Sequence, residues 1–387
     1  MLKKSTFYYA SLNRVVYLCR VLTNKFIIMK KNLQSILVVA LALITTVSYA
    51  QDWGIDSRTR IDMSGDGDQM STDQRVTLSS SWGGSDWGIY LSTDVNYTLV
   101  DIDAAALPTI AVYEAYASTN LFGFANMTAG RQALEYGSGT FIAKNDWAAN
   151  RNAVEGMTFA IDNDFVGLDL GITQRDNGDG SEKLDAMWIN AAKSSGDWSV
   201  NLLYSDYVAE SASQGVSLDA QAMGLDFAYS AMGGALNLDV SYNTLTMGDM
   251  EMDMMDISGT YTVNDDMSIT AGRASYGENG FNDLLGLGNR GWYGTNSWMS
   301  HGNLGHLGAN EENMYIGGSY NMGAFTLGAT VHNVTNTEDD SYERAATEVT
   351  VGYTLGDNAS LSYKMASDNN GGEEDTNYNW LTLTVTP

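Results

Sequence analysis

The sequence predicts an all-β protein: a transmembrane, antiparallel, up-and-down β-barrel of eighteen strands, with sixteen as the fallback count. Three observations predict it. Apolar and polar residues alternate with period two through most of the chain. The connections between alternating runs are short and long by turns. The composition, 40 Gly and 22 Tyr against 2 Pro, suits strands and turns rather than helix or disorder.

The first fifty residues stand outside that pattern. They hold seven bases (Lys3, Lys4, Arg14, Arg20, Lys25, Lys30, Lys31) and no acid. From Met29 the order is a basic start, an apolar run from Leu33 to Val47, and the small-x-small site Ser48-Tyr49-Ala50, which reads as a secretory signal peptide. The run is too short and too badly flanked to span a bilayer. Residues 1–28 are read as an upstream extension, cleavage is expected after Ala50, and residues 51–387 form one barrel domain. Export is the consequence.

The single cysteine, Cys19, lies in that leader, so the exported part has no disulfide and no thiolate metal site. Taking the seven leader bases from the chain's 20 leaves 13 against 47 acids, a net charge of −34. Nucleic acid is excluded as a partner by that sign, and no cofactor is expected.

The strands follow in order. In the first, Ile55, Ser57, Thr59, Ile61 and Met63 interleave with Asp56, Arg58, Arg60 and Asp62. Eighteen such runs begin near residues 53, 74, 87, 110, 125, 154, 166, 184, 198, 217, 235, 254, 267, 314, 325, 346, 360 and 378. Every even-numbered run ends in a tight turn, such as GGSD, NLFG or SSGD. Every odd-numbered run ends in something longer and more acidic, such as DNGDGSEK, MGDMEMDM or TNTEDDSYER. Hydrocarbon cannot satisfy backbone groups, so a sheet that crosses it must close on itself. Trp82, Trp87, Phe122, Phe124, Phe165, Trp198 and Phe325 cluster beside the tight turns, as an interfacial aromatic belt requires. The expected site is the outer membrane of a Gram-negative bacterium, with short turns and both termini periplasmic and the acidic loops outside. Lipid and lipopolysaccharide are the implied neighbours, and a homo-oligomer is compatible with the sequence.

One phrase recurs at the top of a rising strand: TAGRQALEYG from Thr128 and TAGRASYG from Thr270. Alternation points Arg131 and Arg273 toward lipid. Either a bulge at Gly130 and Gly272 turns the guanidinium into the lumen, or both arginines meet headgroup phosphates at the rim. The bulge is the preferred reading.

The stretch GRQALEYGSGTFIAKNDWAANRNAVEGMTF resembles the signature of alginate-export-type outer-membrane porins, through Gly130, Arg131, Gln132, Leu134, Tyr136, Gly137, Asp146, Trp147, Arg151, Glu155 and Gly156. The preceding run from Arg58 to Ser92 resembles that family's opening hairpin and third strand. The resemblance implies an eighteen-stranded channel whose loop, from Tyr136 to Asn150, folds inward to narrow the pore, and in some members passage of acidic sugars.

Pore-lining candidates are therefore Arg58, Arg60, Arg75, Glu114, Arg131, Lys144, Asp146, Arg151, Glu155, Arg273 and Lys364. Arg58, Arg60, Arg75 and Lys364 share lumen parity and would form a basic stripe. Asp94, Glu114, Asp169, Asp226, Asp239, Asp256 and Glu348 would face inward elsewhere. Opposed rows of charge set a transverse field that orients polar solutes; the plainer alternative is that the bases simply pair with Asp56, Asp62 and Glu348. Asp62, Asp66, Asp68 and Asp73 mimic a calcium-loop spacing, but the flanks are strands and position twelve is Asp rather than Glu. No metal site is expected there, and a looser divalent bridge to lipid phosphate fits better. Of three histidines, His332 has lumen parity, and His301 and His306 lie in an aromatic loop; no enzyme follows from them. The expected function is passive diffusion of ions and small polar solutes, sugars or oligosaccharides included, with cation preference from the acid excess. A non-conducting surface-binding or adhesion barrel is the alternative.

Overall fold

The computed structural model describes residues 51–64, 70–98, 108–146, 151–161, 165–176, 182–211, 216–281, 307–372 and 374–387. The leader over residues 1–50, Asp66, Asp68, Trp147, His301 and His306 lie outside the described residues. Asp52–Pro387 is one compact unit.

Among the described residues the chain forms eighteen strands. The first nine are β1 (Gln51–Asp62), β2 (Ser71–Gly83), β3 (Trp87–Thr98), β4 (Thr109–Leu121), β5 (Ala125–Gln132), β6 (Val154–Ile161), β7 (Gly167–Asp176), β8 (Glu182–Ser195) and β9 (Trp198–Ser211). The rest are β10 (Val216–Ala231), β11 (Leu236–Met247), β12 (Met250–Asn264), β13 (Met267–Tyr276), β14 (Glu311–Met322), β15 (Phe325–Asn336), β16 (Glu343–Gly356), β17 (Ala359–Asp368) and β18 (Thr376–Val385). Each pairs antiparallel with its neighbour in sequence, and β1 pairs with both β2 and β18. The sheet is therefore a closed cylinder with no open edge among these strands.

Exposure separates the two faces. In β3, Trp87, Ile89 and Leu91 are exposed and Ser92 and Asp94 are buried. The polar side is thus the inside, as a barrel in lipid demands and a sandwich would not. Phe122, Phe124 and Phe165, beside the tight turns, are exposed.

Two departures from simple alternation shape the interior. Across β3 and β4 the register shifts between Ser92 and Thr93, so that Ser92 faces Glu114 and Thr93 faces Val112. Tyr113 is the extra residue of a β-bulge: it is buried, whereas Val112 and Ile110 beyond it are exposed. The bulge presents two consecutive side chains, Tyr113 and Glu114, to the lumen.

The second departure is at MGDMEMDM, where a longer loop was expected. There β11 and β12 run to Met247 and Met250, and these two residues pair directly. The strands extend because Leu245, Met252 and Met254 are buried and reward continued pairing. They belong to an apolar cluster inside the barrel that also takes in Tyr136, Phe141, Ile142, Trp188, Leu203, Tyr207 and Phe281. Part of the interior is therefore apolar, not the uniformly polar bore that strand parity suggested.

Candidate functional site

The site is built on the 133–153 segment between β5 and β6, whose described residues fold into the barrel. Its apolar residues Phe141 and Ile142 are only 4% and 2% exposed, and the Phe141 ring lies 5.5 Å from that of Phe281. The segment holds its own shape: Gly139 N–H donates to the Tyr136 carbonyl at 2.9 Å, and Asn152 N–H donates to the Lys144 carbonyl at 2.8 Å. The second bond ties the outgoing limb to the returning one.

One side of the segment is fastened to β8, β10 and β11. Trp188 Nε1 donates to the Tyr136 hydroxyl at 3.2 Å, and burial pushes the Tyr136 phenol up to about 12. Ser138 N–H donates to Asp226 Oδ2 at 2.9 Å, and Ser241 Oγ donates to Ser138 Oγ at 3.1 Å. Gly137 makes this approach possible. Its φ is +55°, which favours glycine, and a Cβ there would lie 1.8 Å from Asp226 Oδ2, so a side chain would displace the carboxylate that holds Ser138.

The other side is fastened to β1, β2 and β3. The Asp146 carbonyl accepts from Arg58 Nη1 at 2.8 Å and from Arg75 Nη1 at 3.1 Å. Arg151 grips Asp94 with both arms of its fork, Nη2 to Oδ1 at 2.5 Å and Nε to Oδ2 at 3.1 Å. Its guanidinium carbon sits 3.5 Å from the centroid of the Tyr113 ring that the β4 bulge supplies. Burial works to lower the Arg151 guanidinium, but the hydrogen bond and charge of Asp94 outweigh it and raise it above its ordinary value. Breaking such a buried pair from one side costs about 3–5 kcal/mol.

The two anchor points are far apart on the sheet. In the closed order β1 and β10 are nine strands apart in either direction. Ser138 on β10 and Asp146 on β1 are separated by eight residues, which reach at most about 27 Å when extended. The segment thus crosses the lumen as a girder from one wall to the other.

Charge divides along the same line. Arg58, Arg60 and Arg75 are buried on the inner face of β1 and β2, with Arg60 paired to Asp73 at 3.2 Å. Lys364 on β17 faces inward in register with the buried Trp380. Across the barrel, Asp226, Asp239 and Asp256 of β10, β11 and β12 line a cavity of about 510 Å³ beneath Gly137 and Ser138. Arg58, Arg60 and Arg75, with Arg151 from the loop, thus lie on one side and Asp226, Asp239 and Asp256 on the other, while Asp94 sits among the bases as the partner of Arg151.

The remaining candidates sort as follows. Glu114 Oε1 accepts the Ala133 N–H at 3.0 Å and so holds the root of the loop. Lys144 is half-buried within it. The Asp146 side chain is 66% exposed, 3.6 Å from Arg151. Asp62 caps the Ser64 N–H at 2.8 Å, and Asp73 is committed to Arg60, so the calcium-like spacing is partly spent on local bonds.

Three candidates are corrected. Arg131, Glu155 and Arg273 do not line the lumen. β5 stays in unbroken register with β4 and β6 through Gly130 and Arg131, so no bulge turns the guanidinium inward. Arg131 faces out, pairs with Glu155 at 2.6 Å, and donates from Nε to the carbonyls of Val112 and Tyr113 at 3.0 and 3.1 Å. The bulge exists, but on the neighbouring strand, and Arg131 caps it. Arg273 likewise faces out and pairs with Glu312.

Sequence reasoning missed Tyr113, whose bulge no glycine marks, and the contact of Gly137 with Asp226, for which the Tyr-Gly pair in the loop was the available signal. It also left unassigned the buried fork between Arg344 and Asp368 at 2.6 and 3.0 Å. His332 lies inside as parity indicated, its Nε2 3.1 Å from Glu348 Oε1 and its Nδ1 3.1 Å from Asn313 Nδ2.

With that geometry in view, solved structures provide the comparison. OccK11 (OpdR) of Pseudomonas aeruginosa is 14% identical, with a TM-score of 0.63 over 87% of this chain and 95% of that one. OccK8 (OprE) of the same organism is 13% identical at a TM-score of 0.63, over 87% and 98%. This chain has the fold of these closed barrels. OpdK from that bacterium, an outer-membrane protein whose structure was solved with vanillate, is 11% identical at 0.64 over 87% and 98%. No protein-family model and no curated protein matches the sequence.

Proposed function

We propose that this chain is a passive outer-membrane channel of a Gram-negative bacterium for ions and small polar solutes, with its short turns and termini on the periplasmic side. The observation that carries the reading is the 133–153 segment crossing a closed barrel between a basic and an acidic wall. Such a crossing restricts passage while leaving charged surfaces on both sides of it, and fixed charge at a constriction selects and orients what passes. Polar solutes, sugars included, would turn in the field between the walls. Small cations would be favoured overall by the net charge of −34 beyond the leader.

The finer resemblance to alginate-export-type porins is consistent with the inward loop. Vanillate in OpdK supports the idea that barrels of this fold accommodate a small carboxylate. A second reading, a non-conducting surface-binding barrel, is favoured by one observation, the apolar cluster around Phe141, Trp188 and Phe281. No enzymatic role is proposed.

Single-channel recording separates the two. Purified protein in a planar bilayer is expected to give discrete conductance steps, and a reversal potential of cation-selective sign in a salt gradient. Silence across many insertions would favour the binding barrel, and a chloride-selective sign would remove the cation preference.

A further inference from the structure

Five of the chain's 19 methionines fall within residues 247–255, and packing accounts for two of them. Met252 and Met254 are 5% and 7% exposed and belong to the apolar cluster. Met247 only borders that cluster, Met250 is 44% exposed, and Met255 faces outward opposite the exposed Tyr242. β11 and β12 are joined by a two-residue turn, Gly248 and Asp249, with Gly248 at a φ of +59°. Met247 and Met250 face each other across it, and the next inward pair is Leu245 with Met252. Both members of that pair are buried inside the barrel, so Met247, Met250 and Met252 project from the inner face at the long-loop mouth.

Three thioethers therefore share one short hairpin. Directly opposed Cβ atoms in an antiparallel pair lie about 4.5–5.5 Å apart, and the next residue on the same face is about 7 Å along the strand. Methionine's three rotatable bonds cover those spans. The hairpin itself is held in place: Asn279 Nδ2 donates to the Glu251 carbonyl at 2.8 Å, and Gly277 N–H donates to the Asp253 carbonyl at 3.0 Å. Its charge favours a cation, since Asp249, Glu251 and Asp253 flank the sulfurs and β9 to β12 contain no base. Thioether sulfur is a soft donor that selects a soft ion such as Cu(I) over calcium or magnesium. Among the described residues no three His, Cys, Asp or Glu side chains are grouped to hold a metal, which leaves sulfur as the donor that distinguishes this spot.

We propose that Met247, Met250 and Met252 bind one soft monovalent cation of the Cu(I) class at the inner rim of the mouth. Met250 meets the ion from solvent, Met247 closes on it across the turn, and Met252 completes the site from the side of the apolar cluster. Coordination by thioethers changes no oxidation state and releases no proton. The inference is independent of whether the barrel conducts. Met255, on the outer face of the same strand, provides an internal control.

The experiment is native mass spectrometry of the full barrel in mild detergent with silver nitrate as the probe, because Ag(I) has the charge and softness of Cu(I) and needs no reductant. Wild-type protein is expected to retain one silver ion in the presence of excess calcium. Met247→Leu with Met250→Leu should weaken retention at least about tenfold, equivalent to 1.4 kcal/mol, and Met255→Leu should leave it unchanged. If the double variant does not fold, peroxide oxidation of wild-type protein, read by peptide mass mapping, takes its place. Silver should then protect Met250 from sulfoxide formation, while Met232, 70% exposed at a tight turn, oxidises at its usual rate. Failure of wild-type protein to retain silver, displacement of silver by calcium, or retention in the double variant equal to wild type would overturn the proposal. So would equal loss in Met255→Leu, or oxidation of Met250 that silver does not slow.

Discussion

The phrase TAGR occurs at the end of β5 and in β13, and the two occurrences do the same thing outside the barrel and different things within it. In both, the arginine faces out and pairs with a glutamate of the next strand, Glu155 or Glu312. Inside, the first borders a bulge and the second does not. Gly130 has a φ of +133°, and a Cβ there would sit 2.2 Å from the Ala115 carbonyl oxygen. That close approach accompanies the β4 bulge, which turns both Tyr113 and Glu114 toward the loop they support. Gly272 instead lies beneath the Tyr315 ring, which a Cβ would meet at 2.2 Å, and Tyr315 donates to Asp256 at 3.0 Å. A repeated motif therefore marks a repeated ion pair, while the function grows from what the neighbouring strand does.

This contrast can be tested at several depths. The largest effect is expected from Arg151→Ala, which leaves Asp94 buried without its partner and frees the returning limb of the loop. Stability should fall by about 3–5 kcal/mol in a denaturant titration, and conductance should rise in the bilayer. Next comes Gly130→Ala, which meets rigid backbone at a left-handed φ and should lose about 1–3 kcal/mol. Gly272→Ala meets a ring that can turn aside and should lose less, so equal losses by thermal melting would erase the distinction. The smallest effects belong to the arginines. Arg273→Gln, at a side chain 51% exposed, should change stability by under about 1 kcal/mol. Arg131→Gln should cost more, because it also uncaps the Val112 and Tyr113 carbonyls, and neither should change conductance.

Much of this was legible in the sequence. Strand spacing gave all eighteen elements to within a few residues, because most wall residues alternate and every short turn carries Gly, Asp or Asn. The inward loop was legible through the family resemblance that Tyr136, Gly137 and Arg151 help to carry, and the basic stripe in the parity of Arg58, Arg60 and Arg75. Parity also placed Arg131 and Arg273 correctly until a bulge was invoked at Gly130 to avoid an arginine in lipid. The ion pair with Glu155 removes that difficulty, and such a pair depends on which strands are neighbours at which register. The bulge at Tyr113 had no signal within β4, and the Arg151 side chain that packs on Tyr113 comes from a distant part of the chain. The apolar cluster was hidden for a similar reason: Met252 and Met254 look like loop residues until Phe141 and Ile142 arrive from 110 residues earlier.

The central claim is that residues 138–146 cross the lumen and reach the wall opposite the arginines. Ser138 and Ser241 are 103 residues apart in sequence with hydroxyls 3.1 Å apart, so cysteines at both positions would be neighbours, and no other cysteine follows residue 50 to compete. The decisive measurement is peptide mass mapping of Ser138→Cys with Ser241→Cys after mild oxidation of the folded, vesicle-inserted barrel. A cross-link between the two sites formed in high yield is the predicted result. Two free thiols under conditions where the barrel is intact would contradict the account.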